Sequence, residues 1–130
     1  MIFLLKNIVC ICISLFSILF LPSLTNAIDH DWVSVPASKF GKQLWDAKTV
    51  HKNDDGSIRV LSKFIPRIKN DITQDILYTM DINCFEKSFR DVDVFTDEGN
   101  SRLNNFAKWE DPNGDQLILG VIGQVCRVAN

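Results

Sequence analysis

Between Ile76 and Cys84 every second residue faces the same way. Ile76, Tyr78, Met80, Ile82 and Cys84 share one side of an extended chain, with Thr79, Asp81 and Asn83 on the other. Side chains leave a strand alternately above and below, so five inward positions in a row demand a sheet with one face against a core. Cys84 ends the run and points into that core.

The flanking segments have the same character. Trp32-Val33-Ser34-Val35 alternates and stops at Pro36, which lacks the N–H that a strand ladder uses. Gln43-Leu44-Trp45 is a second short run, and Asn53-Asp54-Asp55-Gly56 is a tight turn whose glycine accepts positive φ. Ile58, Val60, Ser62 and Phe64 then alternate with Arg59, Leu61, Lys63 and Ile65 until Pro66. From Lys87 to Phe95 the apolar residues Phe89, Val92, Val94 and Phe95 change parity partway, which predicts a bulge or a sheet covered on both faces. Asp97-Glu98-Gly99-Asn100 makes a turn, and Leu103 to Trp109 is a last strand weakened by Asn104-Asn105.

The tail changes period. Leu117, Ile118, Leu119, Val121, Ile122, Val125, Cys126 and Val128 spread over one broad arc of a helical wheel, with Gly120, Gly123, Gln124 and Arg127 opposite. A helix on a sheet fits this pattern, with Asp111 or Asp115 as its cap. A buried strand from Leu117 to Ile122 is the alternative, because two glycines lower helix propensity by about 1 kcal/mol each.

Residues 1–27 read as an export leader. Lys6 precedes an almost wholly apolar run from Ile8 to Leu21, Pro22 breaks it, and Thr25-Asn26-Ala27 supplies the small residues of a cleavage site. Cleavage is expected between Ala27 and Ile28, leaving residues 28–130 as one domain with no stable membrane insertion. An uncleaved anchor is the alternative, since from Ile2 the apolar stretch approaches the roughly 20 residues that span a bilayer. Cys10 and Cys12 lie within the leader, so cleavage leaves Cys84 and Cys126 alone.

Loss of Lys6 takes the net charge from −2 to about −3, whereas a general nucleic-acid binder carries a basic excess. The charge is uneven: residues 28–70 carry eight basic and five acidic side chains, residues 71–130 five and eleven. Oppositely charged strands side by side in one sheet account for this, and a charged binding face is the alternative.

No nucleophile–base constellation is legible. His30 and His51 have no partner motif and are expected to be solvated. Cys84 and Cys126 lie too far apart for a Cys-x-x-Cys redox pair. Asp111-Pro112-Asn113-Gly114-Asp115 opens like a calcium loop, but Gln116 replaces that loop's glycine and Ile122 its bidentate glutamate. Asp91 and Asp93 fall on one face of a strand, a spacing that suits a cation or a general-acid pair and equally a plain solvent face. No catalytic residue, cofactor or metal ligand is assigned.

Taken in order, Trp32-Val33, Trp45-Asp46 shortly before Val50, the Asp-Gly turn, Leu77-Tyr78-Thr79-Met80-Asp81-Ile82-Asn83-Cys84, Phe89, Trp109 and a terminal apolar segment containing Cys126 resemble the surface-adhesin protein E-like proteins of bacteria. The most specific part is the spacing of Tyr78, Asp81 and Cys84 with a late cysteine. The resemblance implies an α+β fold, an antiparallel sheet of about six strands packed by a C-terminal α-helix, exported to the cell envelope. The family's named member is a lipid-anchored adhesin for host proteins, sometimes dimeric; this chain lacks a cysteine at its cleavage site.

Two remaining cysteines in an exported chain, both aimed at one core, predict a Cys84–Cys126 disulfide, with two buried free thiols as the alternative. Trp32, Trp45 and Trp109 supply apolar area that packs a core or, where exposed, marks an interface. Lys63, Arg67 and Lys69 are expected to form a basic loop between the third and fourth strands, suited to an acidic protein or polysaccharide or to plain solvent. The function expected is that of an exported, non-enzymatic binding protein of the envelope or medium. Its partner is expected to be an envelope or extracellular protein or a second copy of the chain, and the alternative is a small exported enzyme or inhibitor using Asp91 and Asp93.

Overall fold

The computed structural model of the chain describes residues 28–68, 75–95, 102–103 and 107–130. The leader up to Ala27, the turn at 97–100 and Lys69 lie outside these residues. Ile28 is the first described residue and is exposed.

Seven antiparallel strands are found among the described residues: β1 (Trp32–Ser34), β2 (Gly41–Asp46), β3 (His51–Lys52), β4 (Ile58–Pro66), β5 (Ile76–Asn83), β6 (Ser88–Phe95) and β7 (Arg102–Leu103). One helix, α1 (Gln116–Ala129), follows. Six strands lie in line as β1-β2-β4-β5-β6-β7, and β3 also pairs with β4. The expected α+β architecture is the one observed.

β2 and β3 are two halves of one strand. Both lie along the same edge of β4, β2 against Ser62 to Pro66 and β3 against Ile58 and Arg59. A turn of 3-10 helix over Ala47–Thr49 interrupts them. There the Thr49 hydroxyl donates to the Asp46 carbonyl at 2.9 Å and accepts the Leu61 N–H at 2.9 Å. A side chain thus replaces the ladder bond lost at the break, as a buried backbone donor requires. Asp46, wholly buried, accepts the N–H groups of Asp31 and Lys48 at 2.9 and 3.1 Å and holds the incoming chain to the same point.

The core lies between one sheet face and α1. Val35, Trp45, Ile58, Val60, Tyr78, Met80 and Ile82 meet Leu117, Val121, Ile122 and Val125. The helical members recur at four, five and eight residues, a stripe on one side of a helix. This settles the tail as helix rather than strand. Asp115 is its cap, accepting the N–H of Leu117 at 2.9 Å and of Ile118 at 3.3 Å, while Asp111 instead receives the N–H of Asn113. Gly120 has a packing reason, since a Cβ there would stand 2.9 Å from the Cβ of Val35, whereas nothing lies within 4 Å of a Cβ on Gly123. Gln124, expected on the polar side, accepts a hydrogen bond from the Trp45 indole at 2.7 Å.

The predicted strand from Leu103 to Trp109 is seen in its described part only as β7. The chain rejoins the sheet edge at Glu110, which exchanges two backbone hydrogen bonds with Phe89. Trp109 sits one residue before that anchor.

Candidate functional site

The sheet face turned away from α1 carries charge. Val60, Met80, Ile82 and Phe89 pack toward the helix, so their neighbours Arg59, Asp81 and Arg90 project from the other side. The register aligns these three across β4, β5 and β6. Asp81 is wholly buried beneath its partners. Its Oδ1 accepts Arg59 Nε at 2.7 Å and Asn53 Nδ2 at 3.0 Å, while its Oδ2 accepts Arg59 Nη2 at 3.0 Å, Arg90 Nε at 3.0 Å and Arg90 Nη2 at 2.9 Å. Burial pushes the Asp81 carboxyl up in pKa, but the hydrogen bonds from Arg59, Arg90 and Asn53 outweigh it and hold it below 3.8. The basic first half and acidic second half of the chain thus meet as neighbouring strands, and Lys63 beside Asp75 at 3.8 Å repeats the arrangement.

Arg90 also carries an aromatic. Its guanidinium carbon lies 4.5 Å from the centre of the Trp109 ring, a cation–π contact on a cation already fixed by Asp81. Trp109 is therefore seated on an immobilised arginine while 37 % of its surface stays in solvent. A cavity of about 610 Å³ beside it is lined by Asp55, Ser57, Asn83, Cys84 and Phe85. Phe85 is the most exposed large apolar residue described, at 96 %. Asn83 fixes its turn by accepting the N–H groups of Phe85 and Glu86, each at 3.1 Å.

The disulfide forms one wall of this region. Cys84, immediately after β5, is bonded to Cys126 of α1, with their Cα atoms 5.7 Å apart. It ties the C-terminal half of the helix to the strand end from which Phe85 projects.

A family model described as the surface adhesin-E family matches residues 33–130. The chain belongs to that family. No curated protein and no solved structure matches it. The adhesin-E match spans both cysteines, the Asp81 cluster, Phe85 and Trp109, so the resemblance read from Tyr78, Asp81, Cys84 and Cys126 holds over most of the chain.

Within this adhesin-E fold the other sequence candidates are scattered. Asp91 and Asp93 do not share a face. The register shifts between Thr79 and Met80, placing Asp91 opposite inward Met80 and Asp93 opposite outward Thr79. The parity change in β6 is thus a real bulge, and it separates the two carboxylates. His30 is not a free surface histidine: its Nδ1 lies 2.6 Å from Asp46 Oδ2 and its ring 5.1 Å from that of Trp32. Burial raises Asp46, yet the contacts with His30 and the N–H groups of Asp31 and Lys48 lower it further, below 3.8. His51 is exposed, its Nδ1 3.0 Å from the Thr49 carbonyl. Lys63 belongs to β4, with its ammonium 4.3 Å from the Trp32 ring, and Arg67 is exposed. Among the described residues no group of three His, Cys, Asp or Glu could hold a metal ion, and no helix is long and apolar enough to cross a membrane.

Sequence reasoning missed Asp81 as a hub and Phe85 as a surface. The signal for Asp81 was a lone carboxylate inside an apolar strand, because charge there requires pairing. Phe85 directly after an inward cysteine at a strand end was the signal for the other.

Proposed function

We propose that this adhesin-E family chain is an exported, non-enzymatic binding module that grips a protein of the cell envelope or its surroundings through Phe85, Trp109 and Arg90. The observation that carries it is the exposure of Phe85 beside a tryptophan seated on a fixed arginine. Binding energy at protein interfaces concentrates in a few aromatic and arginine side chains, and rigid anchors lose little entropy on association. Pairing of Asp81 with two arginines leaves that cluster without an unpartnered acid or base, and so favours support over chemistry. Export accords with the leader-like residues 1–27 and with a disulfide, which persists in oxidising compartments.

The test is affinity capture from envelope and extracellular fractions, comparing the oxidised protein with the Phe85→Ala/Trp109→Ala double variant. The proposal expects at least one protein enriched by the parent and lost with the variant. A set of captured proteins that is the same for both would refute it.

A further inference from the structure

A second cleft lies on the helix side of the sheet, at the opposite end of α1 from the disulfide. Its volume is about 310 Å³, and Phe40, Phe64, Ile76, Val94 and Leu117 supply its apolar walls. Gln43 and the core residue Tyr78, both buried, line it beside them, and Phe40 is 66 % exposed. The volume suits one ring with a short chain, at the small end of ligand pockets.

Two carboxylates, Asp91 and Asp115, also line this cleft. Neither lies within ion-pair distance of a cation among the described residues. Asp115 uses Oδ1 to cap α1, which offsets the positive pole of the helix N-terminus that would otherwise oppose a cation. Asp91 keeps part of its surface in solvent at the mouth of the cleft, while partial withdrawal from water inside it, and then the nearby charge of Glu110, raise the pKa of its carboxyl. Loss of hydration without a compensating cation has that effect. Phe40 already takes a cation on its ring, with Lys39 Nζ 5.0 Å from the ring centre.

We infer that this cleft binds a small organic cation with an apolar body, the body lying against Phe64, Ile76 and Leu117 and the ammonium meeting Asp91 and Asp115. The site is separate from the surface around Trp109, so either stands if the other fails. The occupant follows from charge complementarity: apolar walls alone would accept a neutral ring equally well, and two carboxylates with no ion-pair partner among the described residues distinguish the amine.

Titration of the oxidised protein, produced from the full chain, with phenethylamine, phenethyl alcohol and phenylacetate, followed by heteronuclear NMR, is the test. The amine should shift resonances of Tyr78, Leu117 and Ile118 and bind about tenfold tighter than the alcohol, the worth of one charge-assisted hydrogen bond. Phenylacetate should shift none of them. Asp91→Asn, an exposed position expected to leave the fold intact, should bring the amine down to the alcohol's affinity. Equal binding of amine and alcohol by the parent, shifts confined to other parts of the molecule, or an unchanged amine preference in Asp91→Asn would each overturn the assignment.

Discussion

Replacing both Cys84 and Cys126 by serine removes a crosslink between residues 42 positions apart. In the chain-entropy treatment, a loop of that length contributes about 4 kcal/mol by restricting the unfolded chain. A domain of this size has roughly 5–15 kcal/mol in total, so the loss is a large share of its stability. At about 4–8 °C per kcal/mol for small domains, the double variant should melt on the order of 15–30 °C lower. Both cysteines are half-buried beside the core, so serine at these sites adds a smaller polar cost to the same sign. Thermal and urea unfolding followed by circular dichroism measure the difference. The urea slope should also steepen, because an unfolded chain freed of the bond exposes more surface. A midpoint within about 1 kcal/mol of the oxidised parent would refute the view that the bond acts by closing this loop.

Other consequences are equally checkable. Gly123→Ala should stabilise α1 by about 1 kcal/mol, since nothing obstructs the added methyl. Gly120→Ala should destabilise by about 1–3 kcal/mol through its clash with Val35, and chemical denaturation of the pair separates packing from propensity. Asp81→Asn leaves Arg59 and Arg90 facing a neutral amide and should cost about 3 kcal/mol, the lower end for a broken buried pair because both arginines keep partial contact with water. Asp46 and Asp81 both have folded pKa values below the unfolded 3.8. Their contribution is therefore complete above that pH and is lost as pH falls through the folded values, and an acid-unfolding curve of Asp81→Asn should be less steep than the parent's.

Local periodicity revealed the strands and the disulfide, because alternation and inward cysteines are properties of a few adjacent residues. What escaped depended on partners far along the chain. Asp81 is a polar position in its own strand, and only the register of β4 and β6 brings two arginines to it. The bulge in β6 was visible as a change of parity, yet its effect on Asp91 and Asp93 needed the partner strand to define each face. His30 looked solvated because Asp46, its partner, is sixteen residues away across a strand pair. The break between β2 and β3 is made by Thr49 and Asp46 side chains bonding backbone groups, which no apolar pattern records. Helix and strand were both open for the tail until the stripe of Leu117, Val121, Ile122 and Val125 against the sheet decided for helix, with Val35 accounting for Gly120.

Hydrogen–deuterium exchange of the free protein against its complex with the captured partner bears most directly on the binding surface. The account predicts slowed exchange at residues 83–87 and 107–111, around Phe85 and Trp109. Protection confined to other segments, with these two unchanged, would contradict it.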